Sequence, residues 1–223
     1  MAEDLGLDEV FGNLSLKDSQ SEEESAVKIQ KVWRGYFQRK GNRELKDSMT
    51  LDILKEYIDS YHKFRQCQEA LNKLLKRKKI RTINFPSEIS ENIVKFALRK
   101  KRGFTPNWDS EKGDLVLNGK QLEVKGSSDL FGGGPSSFGP KEAWHRIYFL
   151  DGKETYQKNY KIWEVKLSNK SEMWKKIKIS KKETYEDQCL QGRRPRTTFS
   201  EILKQLPPEN VEMIFDGNLS SLS

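Results

Sequence analysis

The sequence predicts an α+β domain built on a mixed sheet flanked by helices, with a helical extension ahead of it. Three observations carry that reading. Apolar residues recur at three- and four-residue spacing through residues 50–79 and again after Pro86. Asn118-Gly119 lies between two apolar-rich runs, the strongest short-range signal for a two-residue β-hairpin. Two further strand-like runs, 146–151 and 160–167, come next, and a short helix near 200–205 closes the domain.

The elements follow in order. Residues 1–22 are acidic and Ser-rich without sustained periodicity, so disorder is expected. Residues 23–79 form the helical extension, with one helix over about 25–43 and a second over about 50–79. The second carries Leu54, Tyr57, Ile58, Tyr61, Phe64, Leu71, Leu74 and Leu75 on one stripe. Packing against the body is the simple reading. A coiled-coil arm would need more heptads and a stripe free of Arg65, Gln68 and Lys73. The body spans 80–206. Pro86 and Ser87 introduce its helix, which runs to about residue 100 with Ile89, Ile93, Phe96 and Ala97 on one face. A Gly-rich loop occupies 131–140, and residues 207–223 are expected to be a flexible acidic tail.

Charge is unevenly placed. Lysine and arginine number 41 against 33 acids, a formal net of +8. Eight acids against Lys17 give residues 1–25 a net of −7, and Glu209, Glu212 and Asp216 give 208–223 a net of −3. Residues 26–207 therefore hold +18, which suits a polyanionic partner, or else a solvated lysine-rich face. Mean hydropathy is −0.83, and no apolar run approaches the roughly 20 residues of a membrane span. An acidic start, Met1-Ala2-Glu3-Asp4, does not resemble a secretory signal. Cys67 and Cys189 stand far apart, as do His62 and His145, which argues against a zinc site and for a reducing, intracellular compartment.

The hairpin places chemistry on one face. With Asn118 and Gly119 as the turn, Leu117 opposes Lys120, Val116 opposes Gln121, Leu115 opposes Leu122, and Asp114 opposes Glu123. Opposed residues share a face with Cβ atoms roughly 4.5–5.5 Å apart. Period two adds Lys125 to that face and sends Leu115, Leu117, Leu122 and Val124 to the other. Two carboxylates are what Mg²⁺ (or Mn²⁺) takes from a protein when it works on phosphate esters, and the Val124 carbonyl is a further candidate ligand. Lys125 is placed to orient a water or offset developing charge. A bare Glu-x-Lys is by itself an ordinary exposed ion pair. The chain holds a second copy, Glu164-Val165-Lys166, which lacks an Asp across a tight turn. Asp109 is a weaker spare ligand.

Asp114 with Glu123-Val124-Lys125, preceded by Ser87-Glu88-Ile89-Ser90-Glu91 on a helix, resembles the PD-(D/E)xK nuclease superfamily, especially type II restriction endonucleases. The resemblance covers about 80–206, with Gly113 where the family has proline. It implies a restriction-endonuclease-like mixed sheet flanked by helices, and Mg²⁺-dependent hydrolysis of DNA leaving a 5′-phosphate. Asp114, Glu123 and Lys125 carry over as the motif, and Glu91, with Glu88 second, as the supporting helix acid. The stretch from Trp163 to Arg196 looks restriction-enzyme-like too.

For DNA binding the candidates are Arg193, Arg194 and Arg196, kept extended by Pro195, since guanidinium suits bidentate phosphate or guanine contacts. Ser136, Ser137 and Lys141, on the Gly-rich loop, are placed to touch phosphate. Lys175, Lys176, Lys178, Lys181 and Lys182 are candidates for sequence-independent contacts along the same edge. The loop lacks the Gly-Lys-Ser/Thr ending of a nucleotide-binding P-loop. Trp144, Trp163 and Trp174 read as core.

The first helix carries a separate signal. Ile29-Gln30, Arg34-Gly35 and Arg39 resemble an IQ motif, the element that binds calmodulin-like proteins. Ile29, Val32, Trp33, Tyr36 and Phe37 offer an apolar surface, and Lys28, Lys31, Arg34, Arg39 and Lys40 suit an acidic partner. Restriction enzymes do not ordinarily carry this element, so it points to a eukaryotic host or an infected eukaryotic cell as the setting. The expectation is a metal-dependent, sequence-specific endonuclease acting on double-stranded DNA, with a homodimer as one way to cut both strands. The competing readings are a repair or recombination nuclease of the same fold, and a non-catalytic adaptor joining nucleic acid to a calmodulin-like protein.

Overall fold

The computed structural model describes residues 49–74, 84–108, 114–128, 136–137, 144–193 and 195–223. Helix α1 (Leu51–Leu74) and helix α2 (Ser87–Arg102) come first. α2 stops where Gly103 takes φ +73°, a left-handed conformation that glycine adopts without Cβ strain. Four strands follow: β1 (Asn107–Trp108), β2 (Leu115–Leu117), β3 (Lys120–Ser127) and β4 (Ser136–Ser137). After them come β5 (Arg146–Asp151), β6 (Asn159–Val165), helix α3 (Tyr185–Leu190), β7 (Arg196–Thr197), helix α4 (Phe199–Leu203) and β8 (Val211–Asn218).

Six strands make one sheet in the order β1-β2-β3-β5-β6-β8. β3 and β5 run parallel and the other pairs antiparallel, so the sheet is mixed, as expected. The turn between β2 and β3 has Asn118 at φ +49° and Gly119 at φ +72°, which sets the register at Leu117–Lys120, Val116–Gln121 and Leu115–Leu122. Every pair with a partner in that ladder is the one the sequence dictated.

Alternation along the strands feeds a core on each face. On one face Leu115, Leu122, Val124, Tyr148, Leu150 and Ile162 pack against Leu54, Ile58 and Tyr61 of α1 and Ile89, Ile93 and Ala97 of α2. On the other, Ile147, Phe149 and Val165 meet Trp144, Trp174, Tyr185, Phe199 and Ile202. Trp144 and Trp174 are core residues, as the sequence indicated, their rings in edge-to-face contact at 5.6 Å.

Two expectations are corrected. α1 is not an extension: its stripe is part of the first core, so the domain begins ahead of residue 80. Nor are residues 207–223 a flexible tail. β8 pairs along β6, and Ile214, Leu219 and Leu222 enter the first core. Among the described residues, no helix is long and apolar enough to cross a membrane.

α1 is also pinned by a buried polar chain. His62 Nε2 lies 3.2 Å from Thr155 Oγ1, which in turn lies 2.8 Å from the Tyr160 hydroxyl, and the His62 ring sits 4.5 Å from that of Tyr156. Burial lowers the His62 pKa to about 4, the nearby Asp59 opposing that shift and Lys158 adding to it. Between about pH 6.5 and 4 the unfolded chain therefore binds a proton that the folded chain refuses, and stability falls as pH falls through that window. The expected loss is up to about 1.4 kcal/mol per pH unit. Urea unfolding across pH 4–7 should show a slope that His62→Gln flattens.

Candidate active site

Glu123 and Lys125 take the face that strand alternation assigns to them. Leu115, Leu122 and Val124 are buried in the first core, with Leu117 packed against it, leaving Glu123 and Lys125 on the opposite face beside Ile147 and Phe149, their register partners on β5. Glu123 is only 4% exposed and forms an ion pair with Lys125, whose side chain is partly open to solvent. Asp114 stands just beyond the end of the β2 ladder. Its Oδ2 accepts a hydrogen bond from the Val124 backbone N–H at 2.7 Å, which holds its carboxylate against β3 next to Glu123.

The helix acids are placed differently. Glu88 is half-buried near the start of α2, accepting a bond from Ser87 Oγ at 3.3 Å. Glu91 is buried on α2, and α2 covers the face of β3 that carries Leu122 and Val124, not the face of Glu123. Among the described residues no three His, Cys, Asp or Glu side chains converge as a metal-binding group. The structure thus bonds Asp114 to the backbone of β3 at Val124, the residue after Glu123, and places Glu91 on the other face of the strand. Asp109 lies outside the described residues.

The second Glu-x-Lys is spent on structure. Glu164 is fully buried on the α2 side of β6. Arg102 donates to it in a short ion pair, Arg146 Nη1 donates at 2.5 Å, and the Tyr148 hydroxyl donates at 3.0 Å. Burial alone would raise the carboxyl pKa; the hydrogen bonds from Arg102 and Arg146 outweigh it and hold Glu164 below the usual carboxylate range. Lys166 pairs instead with Glu212 of β8.

The two DNA-binding candidates, read from separate stretches, meet. Ser136 pairs with Thr197 and Ser137 with Arg196, so β4 and β7 form a two-stranded ribbon. Thr197 is buried and Arg196 exposed. Two residues on, Phe199 packs on Phe149 with ring centroids 4.6 Å apart, and Phe149 is the register partner of Lys125. The ribbon therefore springs from the layer that covers the Glu123 face. Arg193 is exposed and ion-paired with Glu183 at 2.9 Å. Lys175, Lys176, Lys178, Lys181 and Lys182 are exposed around the buried Trp174 and Ile177 of that layer. Lys141, Arg194 and the IQ-like residues Ile29, Gln30, Arg34, Gly35 and Arg39 lie outside the described residues.

A sequence model described as the Bsp6I restriction endonuclease matches residues 51–205. The chain belongs to the Bsp6I restriction endonuclease family. A curated relative, the type II restriction enzyme Bsp6I of Bacillus sp. (strain RFL6), is 29% identical over 146 residues, covering 65% of this chain and 78% of its own length. No solved structure matches. Residues 23–41 match the IQ calmodulin-binding motif. That relative is bacterial and lends no support to the eukaryotic or viral setting expected from the IQ-like helix.

Membership in the Bsp6I family marks the chain as a nuclease of restriction-endonuclease type, a class that works with divalent metal. The family match starts with α1, in keeping with that helix belonging to the domain core. Sequence reasoning weighed His145 only as a zinc ligand. It lies beside the hairpin, its backbone N–H donating to the Gln121 carbonyl at 2.9 Å and its Nδ1 accepting the Gln121 N–H at 3.1 Å. Glu164→Gln should weaken the hold on two partly exposed guanidiniums, one of which keeps Glu212, and cost about 1–3 kcal/mol, read as a lower urea midpoint.

Proposed function

We propose that the chain is a Mg²⁺-dependent endonuclease that makes sequence-specific double-strand cuts in DNA, leaving 5′-phosphates. The observation that carries this is the pairing of Asp114, drawn to the Val124 N–H, with buried Glu123 and its Lys125 partner on one sheet face. The donors are oxygens alone, and two carboxylates suit Mg²⁺, which keeps several waters and asks little more of a protein. Mn²⁺ is the natural substitute, and the Val124 carbonyl is the next donor along β3. When bound, the ion supplies Lewis acidity and lowers the pKa of a coordinated water.

The chain's own residues do the rest. Asp114 and Glu123 fix the cation against β3. Lys125 faces the scissile phosphate and offsets charge that develops on it. The ribbon that carries Ser136, Ser137 and Arg196, with Arg193, holds the duplex on the same side, Arg196 being suited to a bidentate contact with guanine or phosphate, and Arg194 and Lys141 remain candidates by sequence alone. The exposed lysines add sequence-independent attraction. Two copies, one per strand, account for a double-strand cut.

Plasmid DNA with Mg²⁺ should be cut at fixed positions. Removing either carboxylate takes away several kcal/mol of transition-state stabilisation, so Asp114→Ala and Glu123→Ala should each lose about a thousandfold in rate. Cleavage that survives both substitutions sinks the assignment. Sequencing the ends separates the two nuclease readings, since a repair enzyme would cut at scattered positions. No cleavage with retained DNA binding would leave the adaptor reading.

Residues 23–41 support a second activity, binding of a calmodulin-like protein through an apolar surface flanked by bases. Calmodulin titrated into the full chain should give saturable binding that Ile29→Ala/Gln30→Ala weakens. Equal affinity of the double variant would remove the claim.

A further inference from the structure

His145 occupies a position that neither the metal pair nor the ribbon uses. It directly precedes β5, and strand alternation puts it on the side of Ile147 and Phe149. Ile147 is the register partner of Glu123, and His145 bonds Gln121, two residues before Glu123. Glu123 is thus flanked along β3 by Lys125 on one side and by the Gln121–His145 contact on the other. Two residues of strand are about 6.6 Å, roughly one nucleotide step along a phosphodiester backbone.

The ring is fixed rather than swinging. The His145 N–H is held by Gln121, and the preceding Trp144 is buried, with its carbonyl accepting from the Asn169 N–H at 3.1 Å. Because Nδ1 accepts the Gln121 N–H, the neutral ring carries its proton on Nε2. The side chain is exposed, so that Nε2–H faces solvent at the edge of the site. Among the described residues His145 does not converge with Asp114 and Glu123 as a metal-binding group of three. A fixed N–H donor in a basic body, one step from two carboxylates, suits an anionic oxygen.

We propose that His145 donates its Nε2–H to a backbone phosphate of the strand lying over Asp114 and Glu123, one phosphate along from the bond to be cut. The assignment rests on the nuclease reading above, and it makes His145 a positioning residue that sets where the strand lies, leaving the metal requirement untouched.

Two substitutions divide the ring. Asparagine puts an acceptor where Nδ1 is, keeping the bond from Gln121 but losing the reach of Nε2. Glutamine puts an N–H donor near Nε2 and gives up the acceptor. The full chain is tested for binding of a labelled DNA duplex in EDTA, for Mg²⁺-dependent plasmid cleavage, and for thermal melting. His145→Asn should melt like wild type yet bind about tenfold more weakly, as loss of a hydrogen bond to a charged group demands. His145→Gln should bind close to wild type, and both should keep the wild-type Mg²⁺ midpoint in cleavage. An Asn variant that binds like wild type, or Asn and Gln variants equally weakened, would overturn the proposal in favour of a role in bracing the hairpin. If wild type binds duplex without cutting it, the nuclease reading fails while the binding comparison still decides His145. A wild type that binds no duplex overturns both.

Discussion

The approach of α2 to β3 governs this fold. A Cβ on Gly126 would meet Ser90 Cβ at 2.5 Å and Phe85 Cδ1 at 3.0 Å, so helix and strand come together at a distance that only glycine permits. That contact commits one face of β3 to the helices, and Leu122 and Val124 follow it into the first core. Period two then leaves Glu123 and Lys125 no choice of face. A slip of one residue in β3 would bury the carboxylate under α2 and turn Leu122 towards the other layer. The turn at Asn118-Gly119 and the Gly126 contact fix the same register from opposite ends of the strand.

The same argument explains why two Glu-x-Lys sequences do different work. Glu164 is on the α2 side of its strand, where Arg102 at the end of that helix and Arg146 of β5 reach it together with Tyr148. A carboxylate so fully compensated holds three elements together and has nothing left for a substrate. Glu123 pairs with the partly exposed Lys125, and Asp114 is bonded to the Val124 N–H next along the strand. Sheet face, set by helix packing, separates the pair suited to a cation from the structural one.

Much of this was legible in sequence because it depends on short-range rules. Asn-Gly fixes a turn, the turn fixes a register, and the register ends at Leu115–Leu122 with Asp114 just beyond it, bonded to the Val124 N–H. Longer-range facts were not legible. Whether Glu91 reaches the carboxylates depends on which face of the sheet α2 covers, and residues 87–100 look the same either way. β8 hid behind three acids and a broken alternation: the register shifts between Ile162 and Trp163, so that Ile214 and Phe215 both turn to the first core. Its pattern reads as neither strand nor helix. The α1 stripe and its packing against the body were plain, but not that the helix is part of the domain ahead of residue 80.

The two sides of the sheet also differ in what they carry. α1 belongs to the first core, on the face away from Glu123 and Lys125, whereas the β4–β7 ribbon and the lysines around Trp174 belong to the other layer. The IQ match ends at residue 41 and α1 begins at Leu51. From residue 41 to Leu51 the chain spans at most about 36 Å even when fully extended. A partner held at 23–41 would join the described fold through α1, on the helical side of the sheet, and the duplex of the proposed reading would lie on the side of Glu123. α1 in turn shares the first core with Leu122 and Val124 of β3, the strand that carries Glu123 and Lys125 on its other face, so the proposed partner would join the chain at a helix packed against the proposed site's own strand.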